Sequence, residues 1–399
     1  MTPARVALRR GLVAFGVVAL AGQLVPTVID LFGGGLAFPT ALKLGWFYTL
    51  AFHRVGLEVT TASASRLSIA FLTGTGLVLW LLYRGGRAAG LLAGPSSRER
   101  ILAGAMIAPA YAVPVGLLTL IVHLQLRTPG GLLSGGVRVD GVTWQAFVFP
   151  AAIAVVTGGA GALLASEPQG SRLRAWLVGG WRMMLVALGL ALIGLLVVAA
   201  VRPQGLRTYA RAVAANGPRA AMLVLGHQAL LLPNHAFMVL APSMGACVSL
   251  EGAAATIPVL CPGRLPVLGE GLSATLRAAS RRAAVPPRRT MPAAYFLLIA
   301  VPALATITGG RWAARHADGR ERLVRGAGAG IVFGVVVGFG AWATCIAFRS
   351  FSFGPVPVPT AMLGLVWGTV GGTLGAVWPA AQEEPGTPEP ALPPSPTSV

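Results

Sequence analysis

Apolar positions run in blocks of about twenty along this chain, separated by short polar segments. A helix needs about 20 apolar residues to cross a ~30 Å hydrocarbon core. By that ruler spans fall near residues 11–32, 64–83, 101–123, 142–166, 176–201, 219–240, 291–309, 323–348 and 358–378. The pattern predicts an all-α polytopic transmembrane bundle of about nine spans, with eight and ten as its bounds, occupying residues 1–380. The first block carries Arg9 and Arg10 before an apolar run with Ala19-Leu20-Ala21. Its apolar character continues through Leu24, Val25, Val28 and Ile29, longer than a signal-peptide core, so it reads as an uncleaved span. Leu42 to Leu50, a lysine among aromatics and too short to cross, reads as an interfacial helix, with a re-entrant segment as the alternative.

Between spans six and seven lies a long Arg-rich loop, 241–290, with Cys247, Cys261 and the pairs Arg281-Arg282 and Arg288-Arg289. The tail, 381–399, repeats proline and holds Glu383, Glu384 and Glu389; it cannot bury apolar area and is expected to be disordered.

Composition supports the membrane reading. Of 399 residues 55% are hydrophobic and only 11% charged, with a mean hydropathy of +0.73. About 25% charge is usual in a soluble chain, so a soluble globular enzyme is excluded. The formal charge of +19 would suit nucleic acid if it formed a stripe. It lies instead in short runs between apolar blocks, where arginine orients spans and meets anionic headgroups, and a nucleic-acid partner is not expected. All basic residues but Lys43 are arginine, which with abundant Ala and Gly suggests a GC-rich bacterial genome.

With the N-terminus inside, the inner segments up to Arg182 hold ten basic residues and the outer ones five. Beyond that point the same topology gives seven inner against nine outer, so the positive-inside pattern breaks in the second half. The nine-span topology puts the 241–290 loop in the cytoplasm, where Cys247 and Cys261 are expected as free thiols.

The candidate chemistry is sparse. His227, Gln228, Pro233, Asn234 and His235 share the sixth block, where proline disturbs a helix and polar groups at depth face the bundle interior. They form the candidate polar intramembrane site, a pathway or substrate site in one reading and interhelical hydrogen bonding in the other. No mid-span carboxylate accompanies them, and HExxH, GxSxG and GxxxxGK[ST] motifs are missing from the sequence. No catalytic residue, metal site or cofactor is assigned. Gly326, Gly330, Gly334 and Gly338 recur every fourth residue in the eighth block, and Gly364, Gly368 and Gly372 in the ninth. This spacing predicts two helices whose backbones approach closely.

Two stretches carry a resemblance. Ala41-Leu42-Lys43-Leu44-Gly45-Trp46 leads through a polar stretch to Arg66 and a span ending Leu82-Tyr83-Arg84-Gly85-Gly86-Arg87. Leu231-Leu232-Pro233-Asn234 lies in a late span before a Gly/Ala/Pro-rich segment. Together they resemble the actinobacterial PerM-like membrane proteins, a family associated with cell division and of unknown biochemical function. The resemblance implies a multi-pass protein of an actinobacterial cell membrane, without enzymatic activity, supporting envelope or division machinery by binding other membrane proteins. The alternative from the residues is a permease or transporter component with its site at the kinked sixth span.

Overall fold

A computed structural model describes residues 2–33, 38–60, 64–126, 137–168, 170–201, 207, 210–211, 213–215, 217–252, 256–260, 264–265, 289–290, 297–348 and 351–378. Most of the 241–290 loop, Cys261 and the 381–399 tail lie outside the described residues. The helices are α1 (Pro3–Gly33), α2 (Phe38–Ala51), α3 (Leu72–Gly90), α4 (Ser97–Ala105), α5 (Ile107–Ile121) and α6 (Thr143–Leu164). They continue with α7 (Arg172–Val201), α8 (Gly217–Leu230), α9 (Leu232–Met244), α10 (Ala300–Ala313), α11 (Gly319–Thr344) and α12 (Pro357–Val377). Six helical segments are long and apolar enough to cross a membrane, or seven if the bent pair α8–α9 counts as one span. They present many fully apolar, exposed side chains, such as Leu20, Val156, Leu196 and Val335, which suits a surface facing lipid.

The fold is not purely helical. Hairpins β1–β2 (Leu57–Thr60, Ala64–Ser68), β3–β4 (Leu124–Leu126, Val137–Gly141), β5–β6 (Val248–Glu251, Thr256–Leu260) and β9–β10 (Ile346–Phe348, Phe351–Pro355) join in one antiparallel sheet. Its order is β3-β4-β1-β2-β9-β10-β5-β6; β7 (Arg264–Leu265) and β8 (Arg289–Thr290) pair separately. The segment 64–83, expected as a span, is therefore strand β2 followed by α3. Strands of three to five residues leave no periodicity long enough to separate from the flanking helices. The Leu42–Leu50 segment is helical but is not laid on a surface: Gly45 to Ala51 are buried beneath α1 and the sheet.

One sheet holds the loops assigned to opposite sides of the membrane. The nine-span topology puts hairpins β1–β2 and β3–β4 outside and β5–β6 and β9–β10 inside. Their shared ladder is incompatible with that topology. The segment 219–240 is broken: α8 and α9 meet at a 58° bend, and α9 leads straight into β5.

With α8 and the β7–β8 pair set aside, the chain is two copies of one plan. A long helix (α1, α7), a short buried helix (α2, α9), a hairpin, a helix (α3, α10), a longer helical stretch (α4–α5, α11), a second hairpin and a last helix (α6, α12) follow one another in 3–164 and again in 172–377. The sheet repeats it: β1 pairs with β4 as β5 pairs with β10. The N-cap positions Ser96 and Asp318 precede Arg98-Glu99-Arg100 and Arg320-Glu321-Arg322. Gly85-Gly86-Arg87 near the end of α3 returns as Gly309-Gly310-Arg311 near the end of α10. The packing agrees atom by atom. Gly86 and Gly104 both press on the Gly158 carbonyl, and Gly310 and Gly326 both press on the Gly372 carbonyl. In each half these contacts let three helices converge at a point where any Cβ would collide with backbone.

Each half has its own apolar centre. Ala14, Val18, Ile107 and Tyr111 fill the first, with Val78 and Leu82. Met183, Ala187, Ala329 and Phe333 hold the corresponding places in the second, with Val337 and Phe237. In the second half α11 and α12 lie against each other, with Gly330 on the backbone of Gly368, Gly334 on Leu365, Gly338 on Ala361 and Gly364 on Val337.

Candidate functional site

The polar residues of 227–235 gather at the α8–α9 bend, where the second half touches the first. Pro233 stands in the first turn of α9 rather than inside a continuous helix. There its missing N–H costs nothing, because the first amides of a helix have no intrahelical acceptor. Asn234 is buried and makes two bonds to the chain between β2 and α3. Its Nδ2 donates to the Ala70 carbonyl (2.7 Å), and its Oδ1 accepts from the Leu72 amide (3.1 Å). The Leu230 carbonyl, freed by the bend, accepts from Thr73 Oγ1 (2.8 Å). His235 Nε2 donates to Gln228 Oε1 (2.6 Å), bracing the bend from α9 back to α8. His227 Nε2 is hydrogen-bonded to the Tyr48 hydroxyl of α2. Burial pushes the Tyr48 hydroxyl up to about 12, so it stays protonated.

Within the candidate set Gln228 and His235 are bonded to each other, and His227 and Asn234 clamp the bend to the first half. Asn234 supplies both a donor and an acceptor to a backbone segment that leaves a strand and has not yet entered a helix, a task that suits an amide side chain.

A second constellation was not singled out in the sequence. It lies where α2 turns into β1. His53 is 2% exposed. Its Nδ1 donates to the Thr49 carbonyl (2.8 Å), and its Nε2 accepts from the Tyr111 hydroxyl (2.6 Å). Both ring nitrogens are used in the neutral form, and burial lowers its pKa to about 4.

The next residue, Arg54, has φ 57, the only positive φ among described non-glycine residues. Gly245, at the same corner of the second half, has φ 105. Arg54 is 9% exposed. Its guanidinium lies 3.8 Å over the Trp342 ring of α11, and Nη2 donates to the Cys345 carbonyl at 3.4 Å. Nε and Nη1 have no hydrogen-bond partner among the described residues. Burial lowers its pKa to about 10, which leaves it cationic near neutrality.

Arg54 lines a cavity of about 100 Å³ between the halves, with Phe149, Ala152 and Ile153 of α6 facing Phe339, Trp342 and Ala343 of α11. Its wall is almost wholly apolar. The signal that could have found it is the adjacent pair His53-Arg54 inside an otherwise apolar, aromatic stretch.

Of the three cysteines, Cys247 is disulfide-bonded and Cys345 is free. This corrects the expectation of a free thiol at Cys247, which rested on a cytoplasmic loop. No group of three or more His, Cys, Asp or Glu able to hold a metal ion occurs among the described residues.

Comparison with protein-family models, curated proteins and solved structures finds no match for this chain.

Proposed function

We propose that the chain is a non-enzymatic, multi-pass protein of the cell membrane that supports envelope or division machinery by holding other membrane proteins. The observation that carries this reading is the eight-stranded sheet, built from both halves on one side of the bundle. It joins strands of both halves into one continuous surface. The resemblance to the PerM-like proteins points the same way.

The proposed topology has eight crossings, four per half: α1, α3, α4–α5 and α6, then α7, α10, α11 and α12. Both termini are cytoplasmic and the sheet is extracytoplasmic. Arginine supports this sidedness once the bent pair is no longer counted. The short connections away from the sheet hold Arg5, Arg9 and Arg10, then Arg84, Arg87, Arg98 and Arg100, then Arg172, Arg174 and Arg182. Arg311, Arg315, Arg320, Arg322 and Arg325 complete that side. The short connections on the sheet side hold Lys43, Arg54, Arg66, Arg127, Arg138 and Arg349. The remaining arginines fall in the long 202–299 segment, and long segments translocate largely regardless of charge. A disulfide at Cys247 fits the same side, since such bonds persist in oxidising compartments.

Deleting the gene and measuring cell length and septum spacing tests the function. Elongated or misplaced septa, restored by the full chain, are expected; unchanged morphology under envelope stress overturns it. A second reading, a permease component, is favoured by the parallel repeat with a groove between its halves, an arrangement common in transporters. In that case the deletion strain would assemble division sites normally and lose movement of a solute or lipid.

A further inference from the structure

A guanidinium at Arg54 makes no sense as a stabilising device alone. The corner it occupies needs a left-handed backbone, which disfavours any residue other than glycine. The other half places glycine there. A buried cation also loses its hydration, and burial without an ionic partner is strongly unfavourable. None of the ion pairs among the described residues involves Arg54. Trp342 answers part of the charge through its ring face. Two guanidinium positions, Nε and Nη1, remain without an acceptor among the described residues. Strain and an unanswered charge at one residue are the signs of a ligand position.

The surroundings narrow the chemistry. A guanidinium with donors to spare at Nε and Nη1 matches an oxyanion such as a phosphate. The cavity beside it is apolar and runs between α6 and α11. Its mouth is open: Phe339 and Trp342 are 42% and 36% exposed. These residues lie in the ends of α6 and α11 nearest the sheet, the level at which a lipid headgroup would sit against the proposed eight-crossing bundle.

We propose that Arg54 and the groove between the halves bind a phosphate group carried by an anionic lipid, its acyl chain lying between α6 and α11. A free phosphate would engage the same donors; the apolar wall is what favours a lipid. The site is independent of the division-related reading, because lipid binding is measured on the purified chain.

The test uses the full chain, purified in neutral detergent, stripped of lipid and examined by native mass spectrometry and thermal unfolding. Three probes separate the two parts of the ligand: phosphatidylglycerol, diacylglycerol with the same chains, and inorganic phosphate. Wild type is expected to bind one phosphatidylglycerol at least tenfold more tightly than either other probe. Arg54→Gly, which suits the local backbone and so preserves folding, should weaken phosphatidylglycerol at least tenfold. Ala152→Trp, filling the groove mouth with Arg54 intact, should do the same, and it carries the test should Arg54→Gly fail to fold. Arg211→Gln, at an exposed position, should bind as wild type. Equal binding of phosphatidylglycerol by Arg54→Gly and wild type, or of diacylglycerol and phosphatidylglycerol by wild type, overturns the proposal. Inorganic phosphate binding as tightly as the lipid overturns the lipid as its carrier.

Discussion

Tyr111 and Phe333 occupy the same place in the two halves of this protein, each fully buried at the centre of its own bundle. They differ in one atom that matters: the Tyr111 hydroxyl donates to His53, and Phe333 has no counterpart to donate. The halves share a scaffold, and only the first has a tyrosine hydroxyl bonded to a buried histidine at this place.

That polar group makes stability depend on pH. His53 is neutral in the fold with a pKa near 4, against about 6.5 in the unfolded chain. Between those values the unfolded state binds the additional proton. Stability is therefore full above pH 6.5 and falls as the pH drops towards 4, by up to about 1.4 kcal/mol per unit. Thermal unfolding in detergent across pH 4–7 should show this slope, and His53→Gln should flatten it.

The bend between α8 and α9 depends on one amide. Asn234→Ala leaves the Ala70 carbonyl and Leu72 amide without their partners, at a cost of about 2–4 kcal/mol. Asn234→Asp keeps an acceptor for Leu72 and places a carboxylate against the Ala70 carbonyl, and is expected to be no better. His235→Ala removes only the brace to Gln228 and should cost about 1 kcal/mol. Denaturation midpoints in one detergent rank the three.

Glycines in this protein divide sharply by what surrounds them. Gly330→Leu drives a side chain into the Gly368 backbone, which cannot retreat, and should separate α11 from α12 with severe loss of folded protein. Gly16 and Gly189 have nothing within 4 Å of an added Cβ. Gly16→Ala and Gly189→Ala should therefore stabilise, each by up to about 1 kcal/mol through helix propensity. Expression level and melting temperature of the three variants separate the classes.

Topology reporters give a direct check of the eight-crossing arrangement. Fusions at Pro95, Pro168 and Ala317 should report the cytoplasm. Those at Ala62, Gly130, Gly252 and Ser350 should report the opposite compartment. A maleimide should modify Cys247 only after reduction. A cytoplasmic signal at Gly252 would contradict the shared sheet.

The lipid-facing helical character was legible because it rests on long apolar runs, and such runs are hard to mistake. The strands were not, since Leu124–Leu126 or Ile346–Phe348 is too short to display alternation. Pro233 marked a real discontinuity, yet a proline in an apolar block reads equally as a kink and as the first turn of a new helix. Under the proposed eight-crossing topology, counting that block as a crossing inverts everything after it, and the failure of arginine counting is the visible symptom. The duplication was also present in plain letters, at Arg98-Glu99-Arg100 and Arg320-Glu321-Arg322. Connections of unequal length change the offset from element to element, so no fixed period exposes it. Of the polar residues at the bend, Gln228 and His235 bond to each other, while His227 and Asn234 reach across to the first half. Arg54 stayed hidden because its meaning lies in a backbone angle and in a tryptophan from the other half.

A unit with an even number of passages hands its chain back to the face from which it started. Two such units can then be joined end to end through the few residues between Leu164 and Arg172, without an added membrane anchor. The two halves meet edge to edge where β2 pairs with β9, and at the equivalent corner one keeps glycine while the other carries a charge.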